Sequence, residues 1–162
     1  MKTKKLTQMS MLLALALVIF IIESALPPLA PIPGIKMGLA NIITLISLKW
    51  LGKRETFVIL LLRILLGVIF TGNMMSIIYS LSGGIMCFVV MSAVIAKIKP
   101  LWLVSVCGAV AHNTAQILAA VAITRVVQIA MYLPILILSG IITGIFTGAI
   151  AAAVIKRKDV IV

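Results

Sequence analysis

The chain has 162 residues, of which 64% are hydrophobic and 10% charged, and its mean hydropathy is +1.34. A soluble domain carries about 25% charged residues, so this composition excludes a soluble enzyme or binding module. It points instead to an all-α integral membrane protein with a single domain over residues 1–162. The net charge of +11 does not mark a nucleic-acid binder, because the basic residues stand between apolar runs and form no soluble face. That is the pattern of topology signals and lipid headgroup contacts. Cys87 and Cys107 both lie inside apolar runs, as packed thiols do, and no CxxC or Cys/His spacing for a metal occurs.

A helix needs about 20 apolar residues to cross the ~30 Å hydrocarbon core. Six segments can be cut on that basis: residues 9–26, 37–51, 55–70, 74–96, 101–123 and 133–155. The second and third are short, which suits tilted helices or helices fused with their flanks. Their apolar runs are continuous and lack the alternation of barrel strands, so helices are the expected spanning form.

Six spans with both termini on one side divide the 14 lysines and arginines unevenly. One side holds eleven: Lys2, Lys4, Lys5, Lys49, Lys53, Arg54, Lys97, Lys99, Lys156, Arg157 and Lys158. The other holds two, Lys36 and Arg125, and the fourteenth, Arg63, falls within the third span. By the positive-inside rule both termini are expected in the cytoplasm, in a multi-pass protein of the cell membrane.

Taken in chain order, the N-terminal MKTKK and its apolar run look like a secretory signal. The run is longer than the ~7–15 residues of such a core and no A-x-A site follows, so it reads as an uncleaved first helix. Ser10 and Ala14 form a small-xxx-small pair on it, suited to internal packing or to docking another membrane protein. The following connection holds Pro27, Pro28, Pro31 and Pro33, a stiff and apolar stretch suited to packing over the helices as a lid. Gly34, Gly38 and Asn41 open the second helix.

Arg63 stands eight residues after Glu55, about 12 Å along a helix. At that depth an arginine costs ~2.5–3.5 kcal/mol on insertion scales, so it needs a partner. Either Glu23 in the first span neutralises it, or it faces a cavity and meets an anionic ligand. In the fourth span Gly83 and Gly84 suggest a kink or a close crossing, and no phosphate-loop pattern occurs anywhere. The fifth span carries SVCGAVAHNTAQ, from Ser105 to Gln116. His112 and Gln116 are four apart and share a helical face, with Asn113 beside them. Polar groups at this depth are costly unless they face protein, water or ligand, so they suit the wall of a binding site or glue between helices. Residues 124–132, with Arg125 and Gln128, form an elbow on the side with few cations. In the sixth span Gly140, Gly144, Gly148 and Ala152 recur every fourth residue, a signal for close packing.

Arg63, His112, Asn113, Gln116 and Asn41 together give one half of the bundle hydrogen-bond donors and positive charge, suited to a small, partly apolar molecule with a carboxylate or phosphate. Chemistry is poorly supplied. The acids are Glu23, Glu55 and Asp159, scattered over the chain, whereas a magnesium–diphosphate site needs clustered carboxylates. His112 has no nucleophile beside it. Neither a metal, a cofactor nor an enzymatic role is expected, and with no nucleotide motif any active transport draws its energy from another subunit or an ion gradient.

Several of these stretches resemble one family. They are Pro33-Gly34-Ile35-Lys36-Met37-Gly38-Leu39-Ala40-Asn41, Leu62-Arg63-Ile64-Leu65-Leu66-Gly67, Tyr79-Ser80-Leu81-Ser82-Gly83-Gly84, Gly108-Ala109-Val110-Ala111-His112-Asn113 with Gln116, Leu133-Pro134, and Ser139-Gly140-Ile141-Ile142-Thr143-Gly144. In combination they resemble the Gx transporter family, whose members often carry the name heptaprenyl diphosphate synthase component I. The resemblance runs from about Ala14 to Ala152. That family is similar to the substrate-binding S components of energy-coupling factor (ECF) transporters. The resemblance implies a six-helix bundle with an outward-open pocket and a small-residue face on the first helix, which docks a transmembrane coupling subunit with two ATPases. Ser10 and Ala14 are a loose version of that face, departing from the two alanines usual in S components. The implied cargo is of the vitamin, flavin or quinone and isoprenoid precursor class. The family's other name implies an alternative, a noncatalytic membrane subunit of a polyprenyl diphosphate synthase. A scaffold without a ligand is a third reading, and it leaves Arg63 without a use.

Overall fold

Breaks in the chain define the helices. The computed structural model describes residues 2–25, 38–72 and 74–161. Within them lie α1 (Lys2–Ala25), α2 (Asn41–Trp50), α3 (Lys53–Thr71), α4 (Met75–Val94), α5 (Leu101–Thr124) and α6 (Leu133–Ile161), with a 3-10 helix, Val127–Tyr132, in the elbow before α6. α3 stops at Gly72, whose φ of 65° is left-handed and whose N–H bonds the Val68 carbonyl at 2.8 Å. Such a cap favours glycine because a Cβ is strained there. Before α5, Pro100 is extended and has no N–H to continue a helix. Pro134 falls in the first turn of α6, where no N–H is required. The proline-rich segment expected as a lid, and Lys36 with it, lie outside the described residues.

Four helical stretches are long and apolar enough to cross a bilayer: Thr3–Ala25, Ile77–Val94, Leu101–Thr124 and Val127–Arg157. The chain is therefore an all-α membrane protein. α2 is shorter than the second segment cut from the sequence. Gly38, with φ of 81°, turns the chain, and the helix begins at Asn41. Its 10 residues rise about 15 Å, half the hydrocarbon core. α3 has 19 residues but carries Lys53, Arg54, Glu55 and Arg63.

Side-chain contacts show the helix directions. Lys5 pairs with Glu55 and Phe20 abuts Gly67, so α1 and α3 run parallel. α4 runs against α3, with Phe57 and Phe88 rings 5.5 Å apart and Gly84 beside Leu60. α5 runs against α4 and α6 against α5. One end of the bundle consequently gathers the exposed Lys4, Lys5, Lys49, Lys53, Arg54, Lys97, Lys99, Lys156 and Arg157, while Arg125 stands at the opposite end.

Lipid tails are as apolar as leucine, so helices in a membrane associate through close packing and hydrogen bonds. The α5–α6 crossing shows both. A Cβ on Gly144 would fall 2.7 Å from Val106 Cα, and one on Gly148 2.4 Å from Trp102 Cα, so the two backbones meet at the glycine ladder. Ser105 and Thr147 hydroxyls bond across it at 2.9 Å. Gly108 seats Met91 and Cys87 of α4 in the same way. Gly83 and Gly84 therefore serve a close crossing, within an unbroken α4. Thr56, Thr71, Thr114, Thr124, Thr143 and Thr147 return their hydroxyls to the carbonyl four residues back, which satisfies them inside the helices. Cys87 and Cys107 are free thiols.

α1 packs on α3 and α2 through Leu12, Ala16, Phe20 and Glu23, all buried and on one face. Ser10 and Ala14 lie on another face and are exposed, so the pair takes no part in internal packing. Two apolar clusters flank the middle of the bundle. One joins Leu12, the α2 face, Met91, Val104 and Ala151 toward the basic end. The other joins Tyr79, Ile117, Ala120 and Leu136 toward the opposite end. The polar residues collect between them.

Candidate functional site

His112 is positioned by the α4–α5 crossing. A Cβ on Gly83 would come within 2.8 Å of His112 Cε1 and 2.9 Å of Gln116 Cγ, so only glycine leaves room for the ring. One turn on, Gln116 Nε2 lies 2.8 Å from His112 Nε2. The amide N–H donates to Nε2 when the ring carries its proton on Nδ1. That Nδ1 lies against Gly83 but misses hydrogen-bond geometry.

Arg63 projects from the middle of α3 and is 4% exposed. Its Nε has no hydrogen-bond partner among the described residues. The Glu23 carboxylate acts on it through space, yet among the described residues only Lys5 and Glu55 close to salt-bridge distance. Glu23 Oε1 instead accepts from the Gly38 N–H and, at 3.3 Å, from the Leu39 N–H. The neutralising pair considered from the sequence is thus an electrostatic neighbour of Arg63 and not a contact.

Phe20, Glu23, Gly38, Arg63, Ser80, His112 and Gln116 line one cavity at the meeting of α1, α3, α4, α5 and the turn into α2. It has room for about one water, about 10 Å³. Of the residues singled out from the sequence, Arg63, His112 and Gln116 share this wall. Asn41 joins them through the Gly38 turn, where a Cβ would meet Asn41 Nδ2 at 2.6 Å and His112 Cδ2 at 3.0 Å. Asn41 is buried with both amide atoms unpartnered. Asn113 is directed elsewhere: its Nδ2 bonds the Leu136 carbonyl of α6 at 2.6 Å. Arg125 is exposed at the far end of α5.

Ser80 and Phe20 are lining residues that local pattern did not single out, and Gly38, read from the sequence only as opening the second helix, lines the cavity with them. Ser80 sits beside Tyr79 in an apolar run and has no periodicity of its own. Glu23 was legible as an acid inside a span, but its backbone partners belong to a turn 15 residues away. No group of three or more His, Cys, Asp or Glu that could hold a metal is found among the described residues.

The family description "Heptaprenyl diphosphate synthase component I" matches residues 12–154. The chain belongs to the heptaprenyl diphosphate synthase component I family. The match covers every residue of the cavity, and it agrees with the resemblance carried by the Arg63, Gly83 and His112 stretches. Searches of curated proteins and of solved structures find no match. For this member of the component I family, the cavity can supply a guanidinium, an amide and an imidazole to a bound molecule. Among the described residues, Glu23 is the acid that lines it.

Proposed function

We propose that this protein is the substrate-binding membrane subunit, or S component, of an ECF-type importer for a small, partly apolar anionic molecule of the vitamin, flavin or quinone and isoprenoid precursor class. The observation that carries this reading is Arg63. It is a buried cation near mid-helix, faces a cavity, and leaves Nε without a partner. Leaving a buried charged donor unsatisfied is expensive, and an anionic ligand removes that cost through charge-assisted bonds. Substrate contacts are assigned to Arg63, His112, Gln116 and Asn41. Asn113 contributes by holding α6 against α5. The cavity has room for about one water, so this reading requires it to widen when cargo enters. The exposed Ser10 and Ala14 are assigned to docking a transmembrane coupling subunit with its ATPases. The basic end is assigned to the cytoplasm by the positive-inside rule.

The family's own description favours a second reading, a noncatalytic membrane subunit of a heptaprenyl diphosphate synthase in which Arg63 and His112 meet the diphosphate. Affinity purification from native membranes in mild detergent, with mass spectrometry of the accompanying proteins and small molecules, separates the two. A coupling subunit with ATPases is the expected outcome. A soluble, aspartate-rich prenyl synthase would replace the importer reading with the second.

A further inference from the structure

The donors around Glu23 outline a subsite within the cavity. The Gly38 and Leu39 amides that Glu23 accepts from belong to the turn leading into α2. Free N–H groups at a helix start favour an anion. Gly38 holds this turn at φ of 81°, and a Cβ there would meet Asn41 Nδ2 at 2.6 Å, so the amides are held where they are by both backbone and space. Arg63 faces the same cavity with Nε unpartnered. Two backbone donors that meet one carboxylate, and a guanidinium on the cavity which that carboxylate lines, make the donor set for a carboxylate or phosphate, and here the carboxylate belongs to the protein.

Resting on the cavity reading above, we propose that the Gly38 and Leu39 N–H groups and Arg63 form the anion subsite, that Glu23 is its resident anion, and that the ligand's carboxylate or phosphate takes the place of Glu23. The exchange sets selectivity, since a neutral molecule competes poorly against a carboxylate for these donors. It also moves information. Glu23 lies in the last turns of α1, and its bonds tie that end of α1 to the start of α2. A ligand that displaces Glu23 releases this tie, so occupancy is felt by the helix that bears Ser10 and Ala14.

The test compares the full-length wild type with Glu23→Gln in lipid nanodiscs, using benzoate as the anionic probe and benzamide as its neutral counterpart. Glu23→Gln is expected to bind benzoate about tenfold tighter than wild type, with a smaller gain for benzamide, and Arg63→Met in the Glu23→Gln background to remove the benzoate gain. Unchanged or weaker benzoate binding in Glu23→Gln, with wild-type binding intact, overturns the resident-anion assignment and leaves the cavity reading standing. Benzoate binding by neither protein overturns both. A second measurement needs no substitution at Glu23: spin labels at the exposed Ile22 and Leu118 report the position of the end of α1 against α5. Saturating benzoate is expected to change that distance in wild type. A fixed distance shows that Glu23 stays in place, and overturns the exchange.

Discussion

Arg63, at the scale of a single residue, explains why this bundle holds a polar centre. A charge at that depth opposes insertion by ~2.5–3.5 kcal/mol, and the fold gives it a cavity and a distant counter-charge without a contact pair. Arg63→Ala is therefore expected to abolish binding of whatever small molecule accompanies the wild type, while the protein still inserts and folds. Calorimetry with that molecule checks this, and unchanged affinity would remove Arg63 as the anchor. At the basic end a different pair does a local job. The Lys5 ammonium bonded to Glu55 holds that carboxyl below its usual value of 4.5. A depressed folded pKa contributes stability above the unfolded value and loses it as pH falls through the folded one. Lys5→Ala is expected to return the Glu55 titration toward 4.5, as followed by carboxyl NMR.

The helices differ in what holds them. α5 and α6 meet backbone to backbone at Gly140, Gly144 and Gly148, with the Ser105–Thr147 bond across the seam. There is no space for a side chain at Gly144, where even a Cβ would lie 2.7 Å from Val106 Cα. Gly144→Leu is expected to force the helices apart and lower stability by at least the ~1–3 kcal/mol typical of overpacking, read as a fall in thermal midpoint in detergent. An unchanged midpoint would mean that the crossing yields more easily than its geometry implies. α1, by contrast, is held by Phe20 over Gly67, by Glu23 at one end and by the Lys5–Glu55 pair at the other. Its remaining face is apolar and exposed, through Met11, Leu15 and Val18 beside Ser10 and Ala14.

For the molecule as a whole, the helices form a bundle whose polar cavity and outward helix face share one element, α1. Ala14→Leu adds bulk to an exposed face of α1. It is expected to leave folding and ligand binding intact and to abolish co-purification of partner subunits, because close helix approach needs small residues. A mutant that still brings its partners along would place the docking face elsewhere.

Composition and local spacing alone determined the membrane class, the approximate helices, the gathering of cations at one end, the α5–α6 ladder, and the candidacy of Arg63, His112 and Gln116. Those features follow from transfer energies and the 3.6-residue helical period, which act within a segment. The tertiary structure decided the rest. It turned the chain at Gly38 and left α2 at half length. It directed Asn113 to α6 rather than to the cavity, and brought Ser80 and Phe20 to the cavity wall. It gave Glu23 the Gly38 and Leu39 amides in place of the arginine, and left Ser10 and Ala14 exposed. Each of these depends on which face of one helix meets which face of another, a long-range choice made by glycine clearances and the satisfaction of buried polar groups, and no local period in the sequence records it.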